Sequence, residues 1–391
     1  MACAAGPNTV EDGLILNIDP INLEKNLTSN TSTNFLQNGS FSGGLGVTYE
    51  AGSNPTNTII ELENPGDSQY VLRQNGNQPF SEGVPEYQMN IDGGAQGTLS
   101  ASTQYVMSGW YATSDDYNGG DTMFHARAFS TGGSHNATGN GIGTLLYSKV
   151  VGGLTWEFRY QTITTPSDYS GDFDWYMGYG TQNTAGYRYY TGLKVEEGSF
   201  PSALDLSRNG NEGKVKGATF SSDGYFDFDG SDDYIDCGNS SILDVGNNIT
   251  VNVWFYVDST SSYRAIVAKV LNDYSLGWEV ANSSGTFRVT LRPSATQVNL
   301  VAGTLSVGNW YMGTMTFDNT TARLYLNGVQ TGSTTSGGPV TLNSTQSLTI
   351  GRRIQGSYHD GNIAQVSIYN RALTASEISQ NFNALRGRFG I

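Results

Sequence analysis

The chain has 391 residues, with 20 Lys and Arg against 35 Asp and Glu, a formal net charge of −15. That length suffices for two ordinary domains, and a surface this acidic lacks the basic stripe that a phosphate backbone or an anionic lipid requires, which argues against nucleic acid and membrane as partners. Glycine supplies 50 residues, and charged residues are only 14 % against 37 % hydrophobic, the balance of a turn-rich β protein too apolar for disorder. The two cysteines, Cys3 and Cys237, form no disulfide framework and sit in no Cys/His cluster, so redox and zinc chemistry are set aside.

In chain order, Met1 to Pro7 shows neither a basic n-region nor an apolar h-region, and no run of about 18 apolar residues follows. The expectation is synthesis in the cytoplasm, without Sec export or a membrane span. Period-2 alternation then dominates. It runs through Tyr105 to Tyr111, and through Leu154, Trp156, Phe158 and Tyr160 set against Thr155, Glu157 and Arg159. It returns at Tyr187 to Val195, and most clearly with Ile249, Val251, Val253, Phe255 and Val257 on one face and Thr250, Asn252, Trp254 and Tyr256 on the other. Trp110, Trp156 and Trp254 alternate within strands and are expected in the core. Residues 310–330 read as a strand to Phe317, a turn at Asp318 to Thr320, a strand Ala322 to Leu326, and the hairpin signal Asn327-Gly328. One helix is expected near the end, where Thr374-Ala-Ser-Glu377 has capping-box form and Ile378, Phe382 and Leu385 make a single apolar stripe, with Gly387 placed to terminate it. The fold class is all-β, antiparallel sandwich, with one short C-terminal α-helix as a lid.

Three blocks are diagnostic together: Asp205-Leu-Ser-Arg-Asn-Gly-Asn-Glu-Gly213, Phe226-Asp-Phe-Asp-Gly-Ser-Asp-Asp-Tyr-Ile235, and Ile368-Tyr-Asn-Arg-Ala-Leu-Thr-Ala-Ser-Glu-Ile378. With Trp310-Tyr311 and Leu324-Tyr-Leu-Asn-Gly328 they resemble the concanavalin A-like lectin/glucanase superfamily in its laminin G-like (pentraxin-like) branch, over roughly residues 200–391. The opening strand, Val10 to Asp19, is similar to the first strand of such modules in structural proteins of tailed phages. There it runs almost directly into the Asp-Leu-Ser block, whereas here about 180 residues intervene. The resemblance therefore implies an N-terminal arm at 1–9, a sandwich built from 10–26 plus 200–391 with Leu14, Leu16 and Ile18 inward, and an inserted domain at 27–199. Two consecutive domains are the alternative. The insert's ends, Asn34 to Phe41 and Tyr190 to Phe200, and its segment Leu99 to Trp110, look like a carbohydrate-binding-module jelly roll of phage adhesins. The final Arg386 to Gly390 looks like the ends of marine-phage virion proteins. Two jelly-roll sandwich domains are thus expected.

Two groups of residues are candidate sites. Asp227, Asp229, Asp232, Asp233 and Asp236 offer the hard oxygens that Ca²⁺ prefers. Strand alternation puts Asp227, Asp229 and Asp233 on one parity and Asp232 and Asp236 on the other, so all five converge only if the Gly230-Ser231 turn reorients them. A plain family turn with solvated strand ends is the competing reading. Sugar-stacking platforms are sought in turn-rich segments beside polar groups: Tyr117 in Asp115-Asp-Tyr-Asn118, Trp175 and Tyr176 after Asp172-Phe-Asp174, and Tyr358 with His359 and Asp360. Aromatics also fill β cores, which is the competing reading for each. The histidines His125, His135 and His359 are too scattered for a metal or catalytic triad.

No enzyme is expected. A glycosidase needs two carboxylates flanking the sugar, and the Glu-x-Asp-x-x-Glu motif of the glucanase branch is missing. Glu157 with Asp172 or Asp174 is the pair that an enzyme reading would use. GxSxG and HExxH are also lacking. The resemblance implies a non-enzymatic virion surface protein of a tailed phage, a homo-oligomer that contacts other capsid, neck or tail proteins and decorates the particle or binds host cell-surface polysaccharide. A tail-fibre receptor-binding adhesin is the alternative, and a polysaccharide depolymerase a further one. Ca²⁺ is the one cofactor considered.

Overall fold

The computed structural model describes residues 8–20, 57–65, 69–75, 87–90, 99–120, 123–132, 135–137, 141–177, 185–203, 207, 209, 211–270, 276–292, 297–335, 345–353 and 356–391. Among the described residues its architecture is all-β, with antiparallel strand pairs and one α-helix near the C-terminus. The chain divides into two compact units, Met1–Asn22 with Ala203–Ile391, and Leu23–Ser202.

In the first unit the alternation read at Ile249 to Val257 becomes the strand Asn248–Tyr256. It lies between Asp360–Tyr369 and Trp310–Asp318 in one sheet, with Val251 opposite both Ile368 and Met315. Strand Asp360–Tyr369 carries two partners on its other side. Leu14–Ile18 pairs its C-terminal half, from Leu14 opposite Tyr369 to Ile18 opposite Val366. Tyr225–Asp229 pairs its N-terminal half, from Phe226 opposite Ile363 to Asp229 opposite Asp360. The first strand of the chain is therefore stitched to the last. Its inward residues are Ile15, Leu16 and Ile18, all buried, because a bulge between Leu14 and Leu16 breaks the strict alternation and leaves Leu14 half-buried. A second sheet is built around Tyr263–Val270, Gly277–Ser283, Thr286–Arg292 and Val298–Thr304. The two sheets meet where Phe255 of the first stacks on Phe287 of the second, with ring centroids 5.9 Å apart.

The hairpin turn at Asn327-Gly328 has φ of +53° and +79°, the paired positive angles that a type I′ turn demands and that Asn and Gly tolerate best. At Asp318 the carboxylate accepts from the amides of Thr320 and Thr321 and from Arg323, which closes the turn that the sequence marks there.

The first sheet is covered on both faces. Its outer face carries Trp254, Met312, Tyr325 and Tyr369 beneath the helix Ala375–Leu385, which buries Ile378 against them. The capping box forms as expected: the Thr374 hydroxyl accepts from the Glu377 amide, and the Glu377 carboxylate accepts from the Thr374 amide. The helix ends at Leu385 and runs into a short 3-10 turn, Arg386–Arg388, rather than stopping at Gly387. That turn delivers Phe389 back onto Trp254, with centroids 4.3 Å apart and planes 19° from parallel. Polar groups lock the N-terminal segment to the same helix. The Val10 amide donates to Asn381 Oδ1, and the Tyr369 hydroxyl donates to the Val10 carbonyl.

Arg371 holds the Glu377 carboxylate at 2.7 Å and lowers its pKa to about 2, helped by the Thr374 amide. A carboxyl depressed in the folded state contributes stability that is complete above its unfolded value and lost as pH falls toward the folded one. The melting temperature is therefore expected to fall between about pH 4.5 and pH 2, and less steeply in Glu377→Gln, with scanning calorimetry across that range as the check. Thr374→Ala is expected to cost about 1 kcal/mol at neutral pH.

The second unit contains a six-stranded sheet, with Gln104–Thr113 between Tyr187–Glu197 and Leu154–Thr164. A smaller sheet contains His125–Ser130 and Tyr169–Met177. Tyr105, Met107, Phe124, Phe173, Trp175 and Val195 belong to its main core. Trp110, Trp156 and Phe158 form a separate apolar cluster with Val71 and Ala112. The three tryptophans expected in the core, Trp110, Trp156 and Trp254, are all fully buried.

Candidate functional site

Strand alternation builds the site. On Tyr225–Asp229, Phe226 and Phe228 turn inward, so Tyr225 and Asp227 point to the outer face of the first sheet. On Asn248–Tyr256 the same rule places Trp254 and Tyr256 outward, and Tyr256 lies opposite Trp310 in the register. Asp227 lies opposite Asn362 on one side and Thr219 on the other. The returning chain end adds Arg388 and Phe389. Together with Ser221, Asp223 and Asp258 these residues line a cleft of about 740 Å³.

Its floor is aromatic. Trp310 packs with Tyr225 at 5.7 Å, Tyr256 at 5.5 Å and Phe389 at 4.6 Å between centroids, and all four rings remain half-buried. Its rim is acidic, with Asp223, Asp227 and Asp258 exposed. Partial burial pushes the Asp258 carboxyl up, and the nearby charges of Asp360 and Asp227 push it further. The cleft's cation is already engaged: Arg388 Nη1 holds Asp19 at 2.9 Å and Nη2 donates to the Gly224 carbonyl. A half-buried aromatic floor beside hydrogen-bonding rim groups offers apolar faces and polar edges at once, which is what a sugar ring presents in return.

The acidic turn lies at the end of the same strand. Gly230, at φ +77°, redirects the chain so that carboxylate oxygens of Asp229, Asp232 and Asp233 lie within 4.8 Å of one another. Asp233 is buried, and its Oδ2 accepts from the Asp229 amide at 2.9 Å, while Asp229 Oδ1 accepts from the Ser231 amide. Burial raises the Asp233 pKa, and Asp229, Asp232 and Asp227 add repulsion. These three carboxylates are hard-oxygen donors of the type that a divalent cation takes. Of the five aspartates considered from the sequence, Asp227 and Asp236 do not join them. Asp227 lines the cleft instead, and Asp236 caps its own turn by accepting from the Gly238 amide at 2.9 Å.

The stacking platforms expected from the sequence do not form one site. Trp175 is fully buried in the second unit, stacked on Phe124 and donating its indole N–H to the Met123 carbonyl at 2.8 Å, so both ring faces are closed. The reason is a period-2 run, Phe173, Trp175 and Met177, that continues a strand through a segment read as turn-rich. The side chains of Tyr176, Asp172 and Asp174 lie outside the described residues, as does that of His135. Tyr117, also in the second unit, is half-buried, donates to the Gly120 carbonyl and lies beneath Arg188. His359 is buried in the first unit between Phe228 and Phe255, and burial lowers its pKa to about 4, so it is a neutral core residue and not a ligand contact. Tyr358 is half-buried and its carbonyl accepts from Arg264, which also pairs with Asp360 at 3.4 Å. Glu157 is paired with Arg159 at 2.8 Å.

Cleft residues Asp223, Tyr225, Tyr256, Asp258 and Phe389 were not singled out from the sequence. For Tyr256 a signal was present, since it alternates with the apolar face of a recognised strand. The others converge through sheet register and the return of the C-terminus, which no local pattern encodes.

No helix among the described residues is long and apolar enough to cross a membrane. Comparison with curated proteins found no match. Among solved structures, the chain is similar to the binding domain of Paraclostridial Mosquitocidal Protein 1, at 16 % identity and TM-score 0.40, covering 46 % of this chain and 49 % of that one. It is similar to the receptor binding domain of botulinum neurotoxin C/D mosaic serotype, at 16 % identity and TM-score 0.40 over 47 % and 49 %. The sialyllactose-bound CBM40 of Ruminococcus gnavus IT-sialidase matches at 11 % identity and TM-score 0.33, over 36 % of this chain and 84 % of that one. The chain thus spans about half the length of the two toxin domains. Residues 229–379, within the unit that carries the cleft and the acidic turn, match the family profile described as the concanavalin A-like lectin/glucanases superfamily.

Proposed function

We propose that the protein is a non-enzymatic carbohydrate-binding protein that uses the cleft around Trp310 to hold a glycan. The observation that carries this is the cleft itself: four half-buried aromatic rings and a polar rim, within the unit whose sequence matches a lectin/glucanase family profile. The glycan class in this reading is host cell-surface polysaccharide, and the protein acts as a receptor-binding adhesin of a tailed phage, where it joins other virion proteins as a homo-oligomer. Decoration of the particle is the second role in the same setting. The turn of Asp229, Asp232 and Asp233 holds Ca²⁺ in this reading, which neutralises carboxylates whose oxygens lie within 4.8 Å of one another.

The test is binding of the full chain to purified envelope polysaccharide, with Ca²⁺ and with chelator, while reducing ends are assayed in the same tube. Binding without release of reducing ends is expected. Trp310→Ala, folded by circular dichroism, is expected to bind about tenfold or more weakly, the loss that a central aromatic anchor typically causes. Release of reducing ends overturns the non-enzymatic reading, and unchanged binding by Trp310→Ala removes the cleft from it.

A further inference from the structure

The cleft has a charge character that a neutral sugar leaves unused. Asp223, Asp227 and Asp258 stand on its rim, and among the described residues no cation pairs with these carboxylates and no donor hydrogen-bonds to them. The one guanidinium in the lining, Arg388, is committed to Asp19 and to the Gly224 carbonyl. The neighbouring Arg264 is likewise directed at Asp360 and at the carbonyls of Gly230 and Tyr358. Beside the carboxylates lie the rings of Tyr225, Tyr256 and Trp310, with Trp310 5.7 Å from Tyr225 and 5.5 Å from Tyr256 between centroids, while Phe389 stacks on Trp254 and has the Arg388 guanidinium over its ring at 5.0 Å. Rings so clustered attract a cation through their quadrupoles, and partial desolvation strengthens that attraction. The same field repels a carboxylate, sulfate or phosphate.

Resting on the proposed glycan-binding role, we infer that the cleft selects a sugar bearing a free ammonium group, an N-unsubstituted hexosamine, over its N-acetylated, neutral and anionic counterparts. The ammonium sits between the aromatic floor and the Asp227 and Asp258 carboxylates, and the hydroxyls of Thr219 and Ser221 with the Asn362 amide face the sugar's own hydroxyls. The acidic turn of Asp229, Asp232 and Asp233 is separate from this recognition.

The experiment is calorimetric titration of the full chain with three tetrasaccharides of one β-1,4 backbone that differ only at C2: free amine, N-acetyl and hydroxyl. The amine is expected to bind at least tenfold tighter than the other two. That advantage is expected to shrink in 0.5 M salt, as an ion-pair contribution must, and to vanish in Asp227→Asn/Asp258→Asn, where the affinities for the amine and the N-acetylated sugar converge. Both substitutions are at exposed positions, and circular dichroism verifies the fold. Equal affinity for all three overturns the charge selection and leaves the glycan-binding role standing. An amine preference that persists in the double variant also overturns it, because the attraction then belongs to the acidic surface as a whole. Binding of none of the three overturns the selection as well, while the role itself is then judged by envelope polysaccharide and Trp310→Ala.

Discussion

Trp254→Ala is expected to destabilise the unit formed by Met1–Asn22 and Ala203–Ile391 by about 3 to 5 kcal/mol, the usual cost of emptying a buried tryptophan site. Trp254 is fully buried on the outer face of its sheet, with Phe382 stacked at 5.7 Å and 8° and Phe389 at 4.3 Å and 19°. One ring thus anchors both the helix and the chain end beyond it. Its loss leaves a cavity beneath both elements, so the helix and Phe389 are expected to detach before the rest of the unit unfolds. Urea denaturation followed by tryptophan fluorescence gives the size of the effect, and hydrogen exchange over residues 375–389 gives its location. Phe389 also lines the cleft, so in the proposed glycan-binding role affinity is expected to fall with it even at temperatures where the sheets stay intact. Trp254→Phe, which keeps an aromatic face for both partners, is expected to cost much less. A loss below about 1 kcal/mol for Trp254→Ala would show that the helix is held mainly by its polar clasp to Val10 and Arg371.

Glu279→Ala is the second large effect, again about 3 to 5 kcal/mol. Glu279 is only 1 % exposed, yet it lies on the polar face of the second sheet, where Arg292 reaches it at 3.1 Å and Arg353 at 3.7 Å. The phenol of Tyr263 carries Arg353 at 4.9 Å and Arg288 at 5.6 Å from its centroid. Removing the carboxylate leaves these guanidiniums crowded together in a partly desolvated layer without the anion they enclose. The readout is twofold. Denaturation midpoints fall, and the Tyr263 phenol, held above its ordinary range first by burial and then by the Glu279 charge, ionises at lower pH in the variant. Ultraviolet difference titration follows the latter. Glu279→Gln is expected to lower stability nearly as much, because it keeps the volume and loses the charge.

The two effects mark different degrees of legibility. Trp254 was readable as a core residue from alternation, since it interleaves with Val253 and Phe255 on a strand whose two faces are both buried. The helix was readable too, because Thr374 and Glu377 form a reciprocal cap whose geometry is local. Glu279 was not readable. Its burial depends on arginines from a neighbouring strand and from beyond Ile350, and no spacing within the chain announces that they converge. Two of the expected platforms were misread for the opposite reason. Trp175 and His359 lie beside Asp and Gly residues that suggest turns, but sheet pairing turned Trp175 into the core, and His359, just before the strand Asp360–Tyr369, packs between Phe228 and Phe255.

The acidic turn shows the division within a few residues. Alternation groups Asp227 with Asp229 and Asp233, whereas the structure brings Asp232 to Asp229 and Asp233 and leaves Asp227 in the cleft, and Gly230 is the residue able to redirect the chain. Which three carboxylates meet is decided by the backbone path after Gly230 and by Gly217, which leaves just enough room for Asp233: a Cβ there would lie 1.9 Å from Asp233 Oδ1. By itself the sequence determined the all-β class, the paired strands, the Asn327-Gly328 hairpin and the capped helix, because each depends on side-chain period or on backbone preferences spanning a few residues. Only the tertiary structure decided the cleft. Its floor joins Tyr225, Tyr256, Trp310 and Phe389, which are far apart in the chain and become neighbours only through register across the sheet and the fold-back of the C-terminus onto Trp254.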